Sequence, residues 1–397
     1  HRQLTNRDDI LAIEYLNGGR DVNGIRAKYE APFFGPKRPD WMKRRTGDPA
    51  WIDWVPRENI PWWGVDRLRW NLDLSYGRFE TGSTIVTIQE DAVVSEQVQF
   101  GGQLIYEAYQ RKNFFIDVFG GLRLRNLRVQ NKLQGDAATG KQNIFLSRGG
   151  VRARRVNAIS NLGIEVGAEG TLNELDESEK EQLGRTDVDS RFAKLDFNLG
   201  YSTYLEPILF PNAFKDPETK RSSTLAHEVA VGFRGQYAFD YRLIPQASQI
   251  VGGLYSVRGF KQSRAVGDSV FIGSLEYRFH IPRALPIMRE PLDSPLLGDF
   301  RATPQQVYGR PDWDFILRAF VDVGRALRNR EDAVPRTQER DETLVGVGLG
   351  AELQFRSNLR ARLDWATPLT RTAPDGQTES RRFGGNNEFH LLFSVLY

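Results

Sequence analysis

Arg67-Leu68-Arg69-Trp70-Asn71-Leu72-Asp73-Leu74-Ser75-Tyr76 is the stretch on which the fold class turns. Leu68, Trp70, Leu72, Leu74 and Tyr76 alternate with Arg67, Arg69, Asn71, Asp73 and Ser75, and a period of two places one apolar and one polar face on an extended strand. The same alternation recurs near the other end of the chain. Val345, Val347, Leu349, Ala351, Leu353 and Phe355 oppose Gly346, Gly348, Gly350, Glu352 and Gln354, and Leu359, Ala361, Leu363 and Trp365 oppose Arg360, Arg362 and Asp364. Residues 161–169, 193–201 and 271–280 read alike. Soluble sandwiches also alternate, but over strands of about 5–6 residues. Several of these runs reach about ten residues, the length a tilted strand needs to cross hydrocarbon.

The connections carry a second pattern. Tight turns are expected near Lys112, Asn157 and Ser357, whereas the stretches 133–141, 173–187, 325–342 and 367–387 are long and rich in Gly, Asp, Thr and Arg. That asymmetry predicts a barrel with short periplasmic turns and long polar outer loops. Strands are expected at 9–16, 22–34, 66–78, 95–110, 113–128, 142–156, 160–173, 190–205, 223–241, 269–281, 314–324, 343–355, 359–367 and 389–397. Thr84 to Glu90 is one further candidate, so the expectation is an all-β, antiparallel transmembrane outer-membrane β-barrel of about 14–16 strands. A single barrel domain is expected to occupy residues 1–397.

Composition agrees with that class. Lys+Arg 54 against Asp+Glu 51 leaves a net charge of only +3, which is not the balance of a nucleic-acid-binding chain. A mean hydropathy of −0.48, with no apolar run near the roughly 20 residues of a membrane helix, excludes a helical membrane protein but not a barrel. The absence of Cys removes disulfides, thiolate metal sites and cysteine nucleophiles together. His1, His227, His280 and His390 are dispersed without metal-ligand spacing, so no metal or cofactor is expected. Ser274 and His280 share a face but lie about 20 Å apart along a strand, and no catalytic residue is assigned. Gly346, Gly348 and Gly350 alternate within a strand and are read as room for a bulky loop against the wall, not as a nucleotide loop.

Two motifs stand in the carboxyl-terminal half: Val257-Arg258-Gly259-Phe260, inside the connection 243–268, and Phe320-Val321-Asp322-Val323-Gly324. Arg318, Phe320, Asp322 and Gly324 share one face of their strand, opposite Leu317, Ala319, Val321 and Val323. Glu276 also faces away from the apolar set Phe271, Leu275, Tyr277 and Phe279. These motifs resemble those of the superfamily that contains the outer-membrane protein-assembly factor BamA and the two-partner-secretion transporters. The chain end, with Phe389, Leu391, Phe393, Val395 and Tyr397 at alternate positions, resembles the final strand of outer-membrane barrels, in which Phe393 and Tyr397 would form the assembly signal.

The resemblance implies sixteen strands and a lumen-directed loop. In that loop Arg258, Gly259 and Phe260 would be held by Asp322, Glu276, Phe320 and Gly324. It also implies a polypeptide client, outer-membrane lipid around the wall and a seam between the first and last strands. Family members carry POTRA domains ahead of the barrel, and none is expected within this chain. Long segments at 35–64, 206–221 and 284–312 fall on the side where barrels have short turns. Trp41, Trp51, Trp54, Trp62 and Trp63 cluster there with Lys37, Arg38, Lys43, Arg44 and Arg45, an aromatic belt or a docking surface for periplasmic or lipoprotein partners. The functions expected, in order, are polypeptide transport or insertion, a non-catalytic scaffold barrel in an envelope complex, and a passive porin.

Overall fold

The computed structural model describes residues 9–17, 22–32, 67–82, 91–131, 139–210, 225–295, 298–306, 308–329, 339–356, 358–372, 378–380 and 387–395. The Trp41, Trp51, Trp54, Trp62 and Trp63 cluster, the Thr84 to Glu90 candidate and Tyr397 lie outside the described residues. Among the described residues no helix is long and apolar enough to cross a membrane, which leaves strands as the spanning elements to consider.

Strands follow one another almost without interruption: β1 (Ile10–Asn17), β2 (Val22–Pro32), β3 (Leu68–Gly82), β4 (Asp91–Arg111), β5 (Phe114–Asn131), β6 (Thr139–Val156), β7 (Ser160–Thr171), β8 (Ala193–Tyr204) and β9 (His227–Tyr237). Next come a two-strand pair, β10 (Gln249–Val251) with β11 (Ala265–Gly267), then β12 (Ser269–His280) and a second pair, β13 (Leu292–Ser294) with β14 (Gly298–Phe300). The chain continues with β15 (Trp313–Leu327), β16 (Glu342–Phe355), β17 (Leu359–Pro368), the pair β18 (Thr370–Thr372) and β19 (Thr378–Ser380), and β20 (Glu388–Val395). Fourteen of these form one sheet in chain order: β1 to β9, then β12, β15, β16, β17 and β20. All fourteen expected strands are present, because period-two patterning and β-branched or aromatic content agree along each of them.

Turn chemistry sets the short connections. Lys112 takes a left-handed φ of 53° in the two-residue turn between β4 and β5. Asn157 closes the next turn with its side chain, Oδ1 accepting from the backbone N–H of Ile159 at 2.9 Å and of Ser160 at 2.6 Å.

The residues fall into two compact units. One comprises His1–Ala153, Glu165–Asp196 and Ala238–Ala247, the other Arg154–Ile164, Phe197–Tyr237 and Ser248–Tyr397. In the first, β5 changes chemistry along its length. Leu122 and Leu124 are exposed opposite Arg123 and Arg125, but two residues on it is Leu127 and Val129 that are buried and Asn126 and Arg128 that are exposed. The same change occurs on β6, where Ile144 and Leu146 are buried between exposed Lys141, Asn143 and Phe145. Leu175, Leu183, Val188, Phe192, Leu243 and Ile244 complete an apolar core over this end of the strands.

The connection 173–187, expected as a polar outer loop, is therefore partly a core element. Most of its polar residues are exposed, Arg185 being buried, and the apolar ones between them displace water from the inward faces of β5 and β6. Arg185 Nη1 ties it to the segment 238–247 by donating to Leu243 O at 2.7 Å, and just beyond it the Asp189 N–H donates to Arg242 O at 3.0 Å.

In the second unit the middle of the strands has an apolar outer face and a charged inner one. Leu275, Leu317, Val321, Val323, Leu349 and Leu363 are exposed on one side, while Glu276, Arg318, Asp322, Glu352 and Asp364 are buried on the other. Exposed aliphatic residues opposite buried charges invert the ordinary soluble arrangement.

Candidate functional site

Register brings the charged positions together. Antiparallel pairing of β12 with β15 sets Ser274 beside Asp322, Glu276 beside Phe320 and Arg278 beside Arg318. On the far side of β15, Asp322, Phe320 and Arg318 pair with Gly346, Gly348 and Gly350 of β16, and Gly350 pairs with Asp364 of β17. Gly346, Gly348 and Gly350 thus leave an open strip on β16 beside three large side chains. A Cβ on Gly348 would lie 2.5 Å from Phe320 Cζ, and one on Gly350 would lie 2.2 Å from Asp364 Oδ1.

Into that strip comes the segment between β10 and β11. Gly252, Gly253 and Gly259 have φ of 114°, 95° and 92°, the left-handed backbone region that glycine enters without penalty. Gly259 also passes so close to β17 that a Cβ there would lie 2.9 Å from the carbonyl carbon of Thr367. Val257 and Phe260 are buried in a small apolar cluster with Val251, Ala265, Val270, Ile272, Ala326 and Leu344. Between them Arg258 projects into the charged face.

The guanidinium of Arg258 makes a two-pronged bond to Asp322, Nε to Oδ2 at 2.6 Å and Nη2 to Oδ1 at 2.8 Å. Its Nη1 donates to Glu276 Oε2 at 3.0 Å and to Asp364 Oδ2 at 3.3 Å. The backbone N–H of Arg258 adds a bond to Asp322 Oδ2 at 3.1 Å, and Ser274 Oγ donates to Asp322 Oδ1 at 2.6 Å. Phe320 stacks beneath, with the guanidinium carbon 3.4 Å from the ring centroid. The Arg258 and Asp322 side chains are 5% and 1% exposed. A planar fork that satisfies carboxylates while its face rests on a ring is chemistry that arginine supplies and lysine does not.

Charge balances across the cluster. Arg318 donates through Nε to Glu276 Oε1 at 2.9 Å and lies 3.4 Å from both Glu352 Oε2 and Asp364 Oδ1. Arg278 pairs with Glu276, and Arg362 donates through Nε to Asp364 at 2.9 Å. With Arg360 on Glu352 at 2.6 Å and Glu228 on Arg278 at 3.3 Å, Arg258, Arg278, Arg318, Arg360 and Arg362 thereby face Glu228, Glu276, Asp322, Glu352 and Asp364. Burial of a charge is tolerable only where each ion keeps its partners.

Arg258, Gly259, Phe260, Asp322, Glu276, Phe320 and Gly324 therefore meet at one place. The role of Gly324 is spatial: a Cβ there would stand 2.6 Å from Val257 Cγ2 and 2.7 Å from Val251 Cγ1. Sequence reasoning missed Asp364 and Arg318 as partners, although both occupy the polar parity of their strands. It also missed a separate buried group at the other end of β12. There His280 Nδ1 lies 2.8 Å from Asp314 Oδ2 and Nε2 lies 3.3 Å from Glu228, while Arg283 joins Asp314 to Tyr204. Ser274 and His280 thus have different carboxylate partners and form no nucleophile–base pair. Phe393, from the expected assembly signal, is 62% exposed on β20 in line with Phe389, Leu391 and Val395.

No family model matches the chain, and no curated protein matches it in sequence. Solved structures do. CdiB from Escherichia coli aligns over 99% of this chain and 57% of its own, with TM-score 0.63 and 10% identity. CdiB from Acinetobacter baumannii aligns over 91% of this chain and 50% of its own, with TM-score 0.52 and 14% identity. BamA from Haemophilus ducreyi lacking POTRA domains 1-3 aligns over 100% of this chain and 66% of its own, with TM-score 0.55 and 12% identity. The chain spans about half to two thirds of the length of these structures. At such low identity the likeness is one of fold, and it extends over 91–100% of this chain: the chain has the antiparallel β-barrel fold of CdiB and BamA.

Proposed function

We propose that residues 1–397 form one barrel domain of the bacterial outer membrane. It acts in polypeptide secretion or outer-membrane protein insertion, with the Arg258 loop as a removable brace inside the lumen and a seam between first and last strands. The observation that carries this reading is the bond set of Arg258, one loop residue tied to β12, β15 and β17 through Glu276, Asp322 and Asp364. A loop held by one charged fork and a small apolar cluster, and not by a continuous strand ladder, can leave as a unit. The exposed aliphatic face of the second unit supports contact with hydrocarbon.

The absence of native Cys makes the test direct. Val257 is fully buried beside Arg258, so Val257→Cys should react slowly with a membrane-impermeant thiol reagent in resting protein. Labelling should accelerate at least tenfold during export or insertion in the native host. Deletion of the gene should also remove a secreted polypeptide or deplete outer-membrane barrels. Unchanged secreted and outer-membrane protein profiles would end the transport reading.

A scaffold role is the second reading, favoured by the segment 281–312. It is folded, not slack: Arg301 Nε donates to Asp312 Oδ1 at 2.8 Å, and Trp313 Nε1 donates to Ala302 O at 2.9 Å. It nevertheless leaves Leu285, Ile287, Met288 and Leu292 exposed. A photo-reactive residue at Met288 should capture one stoichiometric periplasmic or lipoprotein partner in cells if this reading holds. Crosslinks to none would retire it.

A further inference from the structure

We propose that Arg234 is the alternative partner of Asp322, a cation that takes over this carboxylate when Arg258 leaves it. The inference rests on the removable brace proposed above and names what receives the charge that the brace releases. Among the described residues Asp322 has one cation within ion-pair distance, Arg258 at 2.6 Å. The other two carboxylates that Arg258 holds are better supplied. Glu276 also has Arg278 and Arg318, and Asp364 also has Arg318 and Arg362. Departure of the loop therefore strips the last cation from Asp322 and from neither of the others. The Asp322 side chain is 1% exposed. Of its hydrogen bonds among the described residues, only that from Ser274 Oγ at 2.6 Å does not come from Arg258. A buried charge that loses its partner is costly until another replaces it.

The same cavity holds the complementary group. Arg234, on β9, lines a space of about 270 Å³ together with Ser274, Asp322 and the loop residues Leu254, Tyr255 and Ser256. The other arginines there are engaged, since Arg258, Arg278, Arg318 and Arg362 each hold a carboxylate. Arg234 is exposed, and among the described residues its side chain makes no hydrogen bond and no ion pair. The carboxylate whose charge acts on it across the cavity is Asp322.

Register sets the distance. Arg234 pairs with Ile272 of β12, and Ile272 pairs with Gly324 of β15, two residues from Asp322 on the same face. Two strand spacings sideways and two residues along the strand put the Cα atoms of 234 and 322 about 12 Å apart. An arginine side chain and a carboxylate reaching toward each other close that span. The wall between them is bare: Gly232 adjoins Arg234 on its face, and a Cβ there would meet only Ser274 Cβ, at 4.0 Å. Leu254, Tyr255 and Ser256 belong to the loop, so its departure widens this cavity. Arg234 then gives Asp322 a charged fork from the wall, with Ser274 Oγ still donating to Oδ1. The brace thus has two arrangements of satisfied charge, and switching elements work between such discrete arrangements.

The unfolding rate of the full chain in detergent, followed by loss of heat-modifiable migration, reads the handover when Arg234→Gln is placed in two backgrounds. With Arg258 present, Arg234 has no ion pair to lose, and Arg234→Gln should change the rate by less than about twofold. In Arg258→Ala it should speed unfolding by about tenfold or more, and adding Asp322→Asn should abolish that difference. Arg234→Lys in Arg258→Ala keeps the charge and should stay within about threefold of Arg258→Ala, a check that does not depend on the triple variant folding. Equal effects of Arg234→Gln in both backgrounds, or an effect that survives Asp322→Asn, would overturn the handover. Val257→Cys labelling separates this from the reading beneath it: a rate that Arg258→Ala leaves unchanged would overturn the removable brace instead.

Discussion

Arg258→Ala is expected to free the 252–260 segment from the charged face while the strand ladders persist. Removing the guanidinium leaves Asp322, Glu276 and Asp364 buried with one fewer positive partner. Breaking a buried pair from one side costs about 3–5 kcal/mol. Loss of the stacking on Phe320 adds roughly 2 kcal/mol when the cation is desolvated. The cheapest response is local, in that the loop leaves and water reaches the carboxylates. A cost of that size corresponds to at least a 10²-fold rise in the open population. Thiol labelling of Val257→Cys measures it, and protease cleavage within 252–260 should rise in parallel. Arg258→Lys should recover less than half of the loss, since an ammonium cannot fork across Asp322 while reaching Glu276. Labelling unchanged from the parent in Arg258→Ala would remove the residue from any bracing role.

Reversal of the pair, Arg258→Asp with Asp322→Arg, would be the natural rescue for an isolated ion pair. Here it should fail. A carboxylate at 258 would face Glu276 and Asp364, which accept from Arg258 Nη1 at 3.0 and 3.3 Å. The new cation at 322 would also confront the backbone N–H of residue 258 and Ser274 Oγ, both of which now donate to Asp322. Partial recovery by the swap would show that the cluster behaves as a simple pair.

The second large effect is steric. Gly346→Val should expel the same loop with every charge still present, because a Cβ at 346 would lie 1.9 Å from Arg258 O. No rotamer relieves that contact, since the Cβ position follows from the backbone. The loop must leave or β16 must shift, and the thiol-labelling rate should rise as far as in Arg258→Ala. Gly273→Ala provides the control, since nothing lies within 4 Å of its Cβ position. Its labelling should match the parent. A normal rate in Gly346→Val would mean that the loop does not rest against β16 in the membrane.

Much of this was legible in the residues alone. Alternation such as Leu68-Arg69-Trp70-Asn71 reports strand and facing together, because side chains on a strand must alternate whatever surrounds them. Facing then placed Glu276 and Asp322 on the side that the Arg258 loop could reach. Asp364 was equally visible by parity, yet parity says nothing of which strand neighbours which residue at a given height. That required register, which set Gly350 between Arg318 and Asp364.

The connection 173–187 was misjudged for a related reason. Composition averages over a segment, whereas Leu175 and Leu183 act one by one, each finding an apolar partner supplied by β5 and β6. The pairing of His280 with both Asp314 and Glu228 was hidden likewise, since three strands contribute one residue each.

By itself the sequence determined the all-β class, a count of about 14–16 strands and the direction in which strand side chains face, because these follow from local periodicity. The pairing of Arg258 with Asp322 was an expectation carried by the resemblance of two short motifs to a known superfamily. The tertiary structure alone decided the multiplicity of Arg258 partners and the apolar core over β5 and β6. Each depends on distances between strands far apart in the chain, and such distances come from register and packing, to which no single segment holds the information.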